Sequence, residues 1–123
     1  MNAVLDTNIL IDYGRGILEA KEELQKYDQL AISIITVMEV LVGLPQEIRD
    51  SEAKRMMSIF DVVNIDLPIA LLAADLRATH RIRLPDAIIW ATAKIRNALL
   101  VTRNTKDFPA NTPGVRIPYK LGV

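Results

Sequence analysis

The sequence contains no cysteine and only one histidine among its 123 residues. Without cysteine the chain cannot form disulfides, thiolate metal sites or a cysteine nucleophile, so nothing suggests an oxidising compartment and we expect a cytoplasmic protein. The histidine, His80, stands beside Arg81 at the end of a predicted helix, where a solvated or capping role is expected. The sequence therefore disfavours a Ser-His-Asp triad.

Charge, apolar runs and glycine spacing exclude further classes. Fifteen basic and fifteen acidic residues cancel, so any binding of nucleic acid must come from local charge or bound cations. No apolar run reaches the ~18–20 residues that cross a bilayer, and the N-terminus lacks a signal-peptide pattern, so we expect no membrane association. The five glycines never take the spacing of a phosphate-binding or dinucleotide-binding loop.

The chain is nevertheless rich in apolar residues. Half of its residues are hydrophobic and the mean hydropathy is +0.20, although 24% are charged. A core accounts for most of this content, and a partner surface is expected to cover some of the rest. The length predicts one domain over residues 1–123, because two cores would each be too small.

Short apolar runs alternate with helical patterns along the chain. Strands are predicted at residues 3–5, 30–34, 62–65, 99–101 and 115–117, and helices at 17–27, 36–42 and 85–97. A brief helix is also predicted after Asp6, where Gly14 and Gly16 interrupt it. A further helix covers the segment after Gln46 and turns its later part to the core, and another begins at Asp66 and is expected to be largely buried. This alternation predicts an α/β fold around a mainly parallel sheet.

Four acidic residues lie where such a fold gathers ligands. Asp6 and Asp107 follow predicted strands, Glu39 lies within a helix, and Asp86 begins one. Clustered carboxylates repel one another by roughly 4 kcal/mol per pair at 4 Å, so such a group needs cations. Oxygen ligands select Mg²⁺ or Mn²⁺, and such ions support hydrolysis of phosphodiesters.

Each of these acids also has a purely structural interpretation. Thr36 and Glu39 form a T-x-x-E capping box, and Asp86 suits the first turn of a helix. Asp6 is a possible helix cap, and Asp107 a possible Asx-turn residue. The structural interpretations treat each acid separately, whereas a metal site requires that all four meet.

Four segments in the same order resemble the PIN-domain family, and within it the VapC-type toxins of toxin–antitoxin pairs. They are Val4–Leu10 (VLDTNIL), Ser33–Gly43 (SIITVMEVLVG), Arg83–Ala93 (RLPDAIIWATA) and Leu100–Phe108 (LVTRNTKDF). The resemblance implies a three-layer α/β/α fold, endoribonuclease activity on RNA, and a requirement for Mg²⁺ or Mn²⁺. It also implies a homodimer that a small antitoxin neutralises by laying a segment across the groove.

The resemblance also implies roles for individual residues. It maps the family's acidic metal ligands and catalytic groups onto Asp6, Glu39, Asp86 and Asp107, although Asn104 lies on the same loop as Asp107 and is a rival for the fourth position. The polar side chains that orient these carboxylates or hold water are Thr7, Asn8, Thr102 and Asn104.

Some surface roles stay open between two interpretations. The antitoxin surface is one interpretation and core packing is the other for an apolar set, Met56, Met57, Ile59 and Phe60. Contact with RNA phosphates or plain solvation is expected for four arginines, Arg15, Arg81, Arg83 and Arg103. Trp90 is interpreted as a core or dimer residue.

Two other functions compete with the ribonuclease. A PIN-like module that binds RNA or protein without cutting would keep the fold and lose the chemistry. An aspartyl-phosphate phosphatase using Asp6 would want a second aspartate two residues later, where Asn8 stands.

Overall fold

The computed structural model describes residues 1–109 and 111–122. In that part of the chain the elements follow in the order β1 (Asn2–Leu5), α1 (Thr7–Gly14), α2 (Leu18–Leu24), β2 (Gln29–Ser33), α3 (Ile34–Val42), α4 (Gln46–Ile59), β3 (Asp61–Val63), α5 (Leu67–His80), α6 (Leu84–Ile95), β4 (Leu99–Val101) and β5 (Val115–Arg116). The predicted α/β class is confirmed.

The strands form one sheet in the order β3-β2-β1-β4-β5, and every neighbouring pair is parallel. Side chains alternate across β1, so Val4 packs with buried residues of α5 and α6 on one face. Ala3 and Leu5 pack on the other face with residues of α1, α2, α3 and α4. The helices therefore cover both faces, which confirms the predicted three layers.

Several element boundaries differ from the prediction, and the differences at the end of β2 and the start of α3 have one cause. The side chain of Ser33 accepts a hydrogen bond from the amide of Ile35 at 3.2 Å and caps α3, so β2 ends there and the helix begins at Ile34. The strand β3 pairs with β2 only as far as the pair Ser33 and Val63, which leaves Ile65 without a strand partner. Helix α2 ends at Leu24, three residues before the predicted end.

Helix α5 is less buried than its composition predicts. Asp66 caps it as expected, accepting a hydrogen bond from the amide of Ile69 at 3.1 Å. Only the stripe of Ile69, Ala73 and Leu76 is buried, whereas Leu71 is 60% exposed. Apolar composition indicates that a helix has a buried face but does not show how wide that face is. Among the described residues, no helix is both long and apolar enough to cross a bilayer.

Candidate active site

The first carboxylate, Asp6, lies at the carboxyl end of the central strand β1. Its side chain caps α1 by accepting a hydrogen bond from the amide of Thr7 at 2.7 Å. The hydroxyl of Thr102, which lies just beyond the neighbouring strand β4, donates to the other oxygen of Asp6 at 2.6 Å. The side-chain amide of Asn8 donates to the same oxygen at 3.2 Å. Capping and site formation are therefore compatible for Asp6, which is only 5% exposed.

Helix α3 supplies Glu39, and the capping-box interpretation of this residue is wrong. Ser33 caps the helix, so Thr36 lies inside it. The hydroxyl of Thr7 donates to an oxygen of Glu39 at 2.7 Å and lies 3.0 Å from the hydroxyl of Thr36. Glu39 is thus held toward Asp6 by a residue of α1, across 32 positions of sequence.

Asp86 occupies the first turn of α6, as predicted, and its side chain points to the same cluster. The residue is 5% exposed, and its carboxylate accepts a hydrogen bond from the guanidinium of Arg83 at 3.2 Å. The charge of Asp6 and the carboxyl group of Asp107 are both close enough to influence its ionisation.

Both candidates for the fourth position lie at the site. The side-chain amide of Asn104 donates to a carboxylate oxygen of Asp107 at 2.9 Å. Its carbonyl oxygen accepts from the backbone amide of Asp107 at 3.2 Å. The turn is therefore made by the Asn104 side chain, and the Asp107 side chain does not make the Asx-turn. Asp107 brings the carboxylate, and Asn104 holds it.

The four carboxylates line one cavity of about 750 Å³. The same cavity is lined by Thr7, Asn8, Ile11, Arg81, Arg83, Asn104 and Lys106. Thr102 is fully buried and supports Asp6 from behind. The predicted strand ends suggested a common edge for Asp6 and Asp107, and the family resemblance linked all four acids; the fold places the four around one cavity.

Electrostatics at the cavity favour a positive ligand. Burial raises the pKa of Asp6, an effect that hydrogen bonds from Thr102 and Thr7 oppose and the charge of Glu39 reinforces. Burial and the charge of Asp6 raise the pKa of Asp86 to about 6, although Arg83 lowers it. The folded chain therefore holds these carboxylates close to one another at a cost that a bound cation would relieve.

The donor set fits a hard divalent cation. Within residues 1–109 and 111–122, no three His, Asp or Glu side chains are spaced to hold a metal ion by themselves. Mg²⁺ is commonly held by one or two carboxylates and several waters, and this cavity has room for such waters. Oxygen ligands alone argue against zinc. Asp6 and Asp86, whose charges interact, could hold Mg²⁺ or Mn²⁺ directly, and Glu39 and Asp107, which line the same cavity, could reach the ion directly or through water.

The arginines expected near phosphate divide into separate groups. Arg81 and Arg83 line the cavity and are exposed, whereas Arg15 lines a different groove. Arg103 turns away and pairs with Asp12. Sequence reasoning missed Lys106, whose position one residue before Asp107 was the available signal.

Two other sequence interpretations are resolved by burial. His80 is exposed at the last position of α5, and its ring lies 4.8 Å from the ring of Trp90. Trp90 is a core residue that packs edge-on against Phe108 at 5.3 Å. The ring contacts leave His80 outside the carboxylate cavity.

The apolar set on α4 does not form one face. Met56 and Phe60 are buried, one helical turn apart, whereas Met57 is 65% and Ile59 is 44% exposed. Core packing is therefore correct for the first two residues, and only the other two are free for a partner.

Residues 3–111 match the family model described as PIN domain. The chain is 32% identical over 114 residues to "Ribonuclease VapC10" of Mycobacterium tuberculosis, covering 86% of this chain and 85% of that protein. It is also similar to a solved structure named "Toxin-antitoxin complex from Klebsiella pneumoniae", with 46% identity, a TM-score of 0.87, and 97% and 99% of the two chains covered. The FitAcB structure from Neisseria gonorrhoeae has 27% identity and a TM-score of 0.76, with 97% and 99% covered.

Proposed function

Because this chain belongs to the PIN-domain family, we propose that it is an endoribonuclease that hydrolyses RNA phosphodiester bonds with Mg²⁺ or Mn²⁺. A relative named a ribonuclease, at 32% identity over most of both chains, supports this activity. The observation that carries the proposal is the meeting of Asp6, Glu39, Asp86 and Asp107, from four separate parts of the chain, around one cavity.

Asp6 and Asp86 would hold the cation in this mechanism. Thr102 and the backbone amide of Thr7 fix the Asp6 carboxylate through hydrogen bonds of 2.6 and 2.7 Å, so its oxygens keep one orientation. Mg²⁺ or Mn²⁺ held there would supply the Lewis acidity that lowers the pKa of a nucleophilic water and stabilises negative charge on the phosphate.

Glu39 and Asp107 complete the acidic wall of the cavity. Thr7 donates to Glu39 and Asn104 donates to Asp107, so each carboxylate is held at the cavity, where its lone pairs could orient water. The exposed cations at the rim, Arg81, Arg83 and Lys106, then meet phosphates of the RNA strand.

The test is an RNA cleavage assay with the Asp6→Asn variant. We expect cleavage to be abolished with the fold intact, because the amide removes the charge that a cation requires. EDTA should stop the parent protein in the same way and Mg²⁺ or Mn²⁺ should restore it. An Asp75→Asn variant, which changes an exposed carboxylate outside the cavity, is the matched control. Cleavage by Asp6→Asn at the parent rate would refute the proposal.

We further propose an antitoxin protein as the partner, since the similar Klebsiella structure is named a toxin–antitoxin complex. A second groove of about 600 Å³ adjoins the carboxylate cavity and shares Ile11 and Glu39 with it. Ile59 lines this groove while 44% exposed, so an apolar partner segment would bury it there. The candidate antitoxin is the protein encoded next to this chain, and it should co-purify with the parent. It should bind the Ile59→Asp variant more weakly, while that variant keeps its RNA cleavage.

A homodimer is proposed from apolar side chains that α3 and α5 leave in solvent. Val42 is 75%, Leu67 is 69% and Leu71 is 60% exposed. Association that covers them would remove apolar surface from water. Light scattering should give twice the chain mass for the parent, and half that value for Leu71→Glu.

A further inference from the structure

A buried acid outside the carboxylate cavity has no role in the proposed mechanism. Asp12 on α1 is 2% exposed and does not line the cavity. Its carboxylate accepts two hydrogen bonds from the guanidinium of Arg103, at 2.5 and 3.1 Å. The hydroxyl of Tyr119 donates to it at 2.8 Å. We call this set of side chains the clasp: Asp12, Arg103 and Tyr119.

The clasp holds the loop that supports two of the cavity carboxylates. Arg103 lies between Thr102 and Asn104 in sequence, and these neighbours donate to Asp6 and Asp107 respectively. Within the loop, the backbone amide of Asn104 also donates to the hydroxyl of Thr102 at 3.0 Å. A shift of Arg103 would therefore move both donors.

The backbone of Arg103 joins the same network. The backbone amide of Arg103 donates to the side-chain carbonyl of Asn8 at 3.2 Å. The side-chain nitrogen of Asn8 donates in turn to the Asp6 carboxylate at 3.2 Å. An arginine held by two N–H groups against a buried carboxylate has a narrow choice of positions. The clasp thus limits where the loop and the Asp6 carboxylate sit relative to α1.

We propose that Asp12 and Tyr119 are positioning residues that act through Arg103 to set the Thr102–Asp107 loop in the geometry required for cation binding and RNA cleavage. The inference rests on the proposed function. A displacement of reacting groups by about 1 Å is enough to slow an enzyme by two orders of magnitude, so a contact remote from the chemistry can govern it.

A second set of side chains provides a matched control. Glu23 on α2 is also 2% exposed and accepts hydrogen bonds from the guanidinium of Arg116 at 2.5 and 3.0 Å. The hydroxyl of Tyr27 donates to it at 2.5 Å. The carboxylate, guanidinium and hydroxyl match those of the clasp, although Lys26 also pairs with Glu23 at 3.1 Å. Among the described residues these side chains make no hydrogen bond to the loop or to the four carboxylates. The backbone carbonyl of Arg116 accepts from the backbone amide of Thr102 at 3.1 Å, and Glu23→Gln does not alter either of these main-chain groups.

The experiment compares Asp12→Asn with Glu23→Gln, each of which turns a buried carboxylate into an amide. Both variants are expected to unfold at lower urea concentration than the parent. Only Asp12→Asn is expected to lower kcat and weaken Mn²⁺ binding, each by about tenfold or more, as is typical when a group supporting metal ligands is lost. Mn²⁺ binding is measured by calorimetry without RNA and without urea, at a temperature well below that at which either variant unfolds.

Equal kcat and equal Mn²⁺ affinity in the two variants would overturn the positioning role and leave a structural clasp. If Asp12→Asn does not fold, Tyr119→Phe and Tyr27→Phe are compared by the same criteria, since each removes one hydroxyl and leaves the arginine pair. A parent that neither cleaves RNA nor binds Mn²⁺ would overturn the proposed function and this role together. If the parent cleaves RNA and binds Mn²⁺, but the two variants have the same kcat and the same Mn²⁺ affinity, only the positioning role is overturned.

Discussion

Replacing Asp86 with asparagine should stabilise the cation-free protein while removing its response to Mg²⁺. The pKa of Asp86 is raised from its ordinary 3.8 to about 6, chiefly by burial and then by the charge of Asp6. At ~1.4 kcal/mol per pKa unit, ionised Asp86 costs the folded state up to about 3 kcal/mol. Solvent in the open cavity reduces this cost, and the asparagine loses the favourable interaction with the start of α6, so we expect a net gain of about 1 kcal/mol.

The gain should depend on pH with a defined sign. The folded chain binds the Asp86 proton more tightly than the unfolded chain, so this group lowers the free energy of unfolding as pH rises from 3.8 to about 6. Urea unfolding in EDTA at pH 8 should therefore show the full advantage of Asp86→Asn, and unfolding near pH 4 should show little. Saturating Mg²⁺ at pH 8 should reverse the order, because binding stabilises only the parent.

Two results would refute this reasoning. One is an Asp86→Asn variant that is less stable than the parent in EDTA at pH 8, which would mean that the carboxylate stabilises the empty site. The other is an equal rise in the unfolding midpoint of both proteins with Mg²⁺, which would mean that Asp86 does not hold the cation.

Three further substitutions test the remaining contacts. Burial raises the pKa of Glu23, but its hydrogen-bond donors outweigh burial and hold the pKa at about 2. Glu23→Gln should lower the free energy of unfolding by about 1–3 kcal/mol at pH 7, and the difference should vanish as the pH falls from 4.5 toward 2 in urea titrations. Thr7→Val removes the donor to Glu39 and should raise the Mg²⁺ concentration for half-maximal cleavage by about tenfold. Phe108→Ala should cost about 3–5 kcal/mol of stability and shift the fluorescence of Trp90, its edge-on neighbour, to longer wavelength.

Local pattern was sufficient to predict the α/β class and the order of the elements, whereas the three layers were implied by the family resemblance. The period of the apolar residues and capping residues such as Asp66 predict a strand or a helix. Both signals are local, so they do not depend on distant parts of the chain. Strand–helix alternation then predicted a parallel sheet, and the sheet implied that Asp6 and Asp107, which follow strands, lie at one edge. The structure shows in addition that β4 is next to β1 and that Thr102, 96 positions from Asp6, donates a hydrogen bond to it.

Local pattern failed where the outcome depends on neighbouring elements. The sequence suggested Thr36 as the cap of α3, whereas the backbone is extended at Ser33 and that residue caps the helix. Thr36 was then free to lie beside Thr7 at the site. On α4, the apolar residues Met56 and Met57 are equivalent in sequence, and only the position of the sheet separates the buried one from the exposed one.

By itself the sequence determined the α/β class, the family resemblance and the acids worth examining, because these depend on residue type, period and order along the chain. Only the tertiary structure decided which carboxylate each of the expected polar side chains contacts, as Asn104 contacts Asp107, and that Arg103 binds Asp12 and not the cavity. The physical reason is that a hydrogen bond requires two atoms within about 3 Å. That distance is set by the packing of whole elements and is not encoded in the neighbours of either residue.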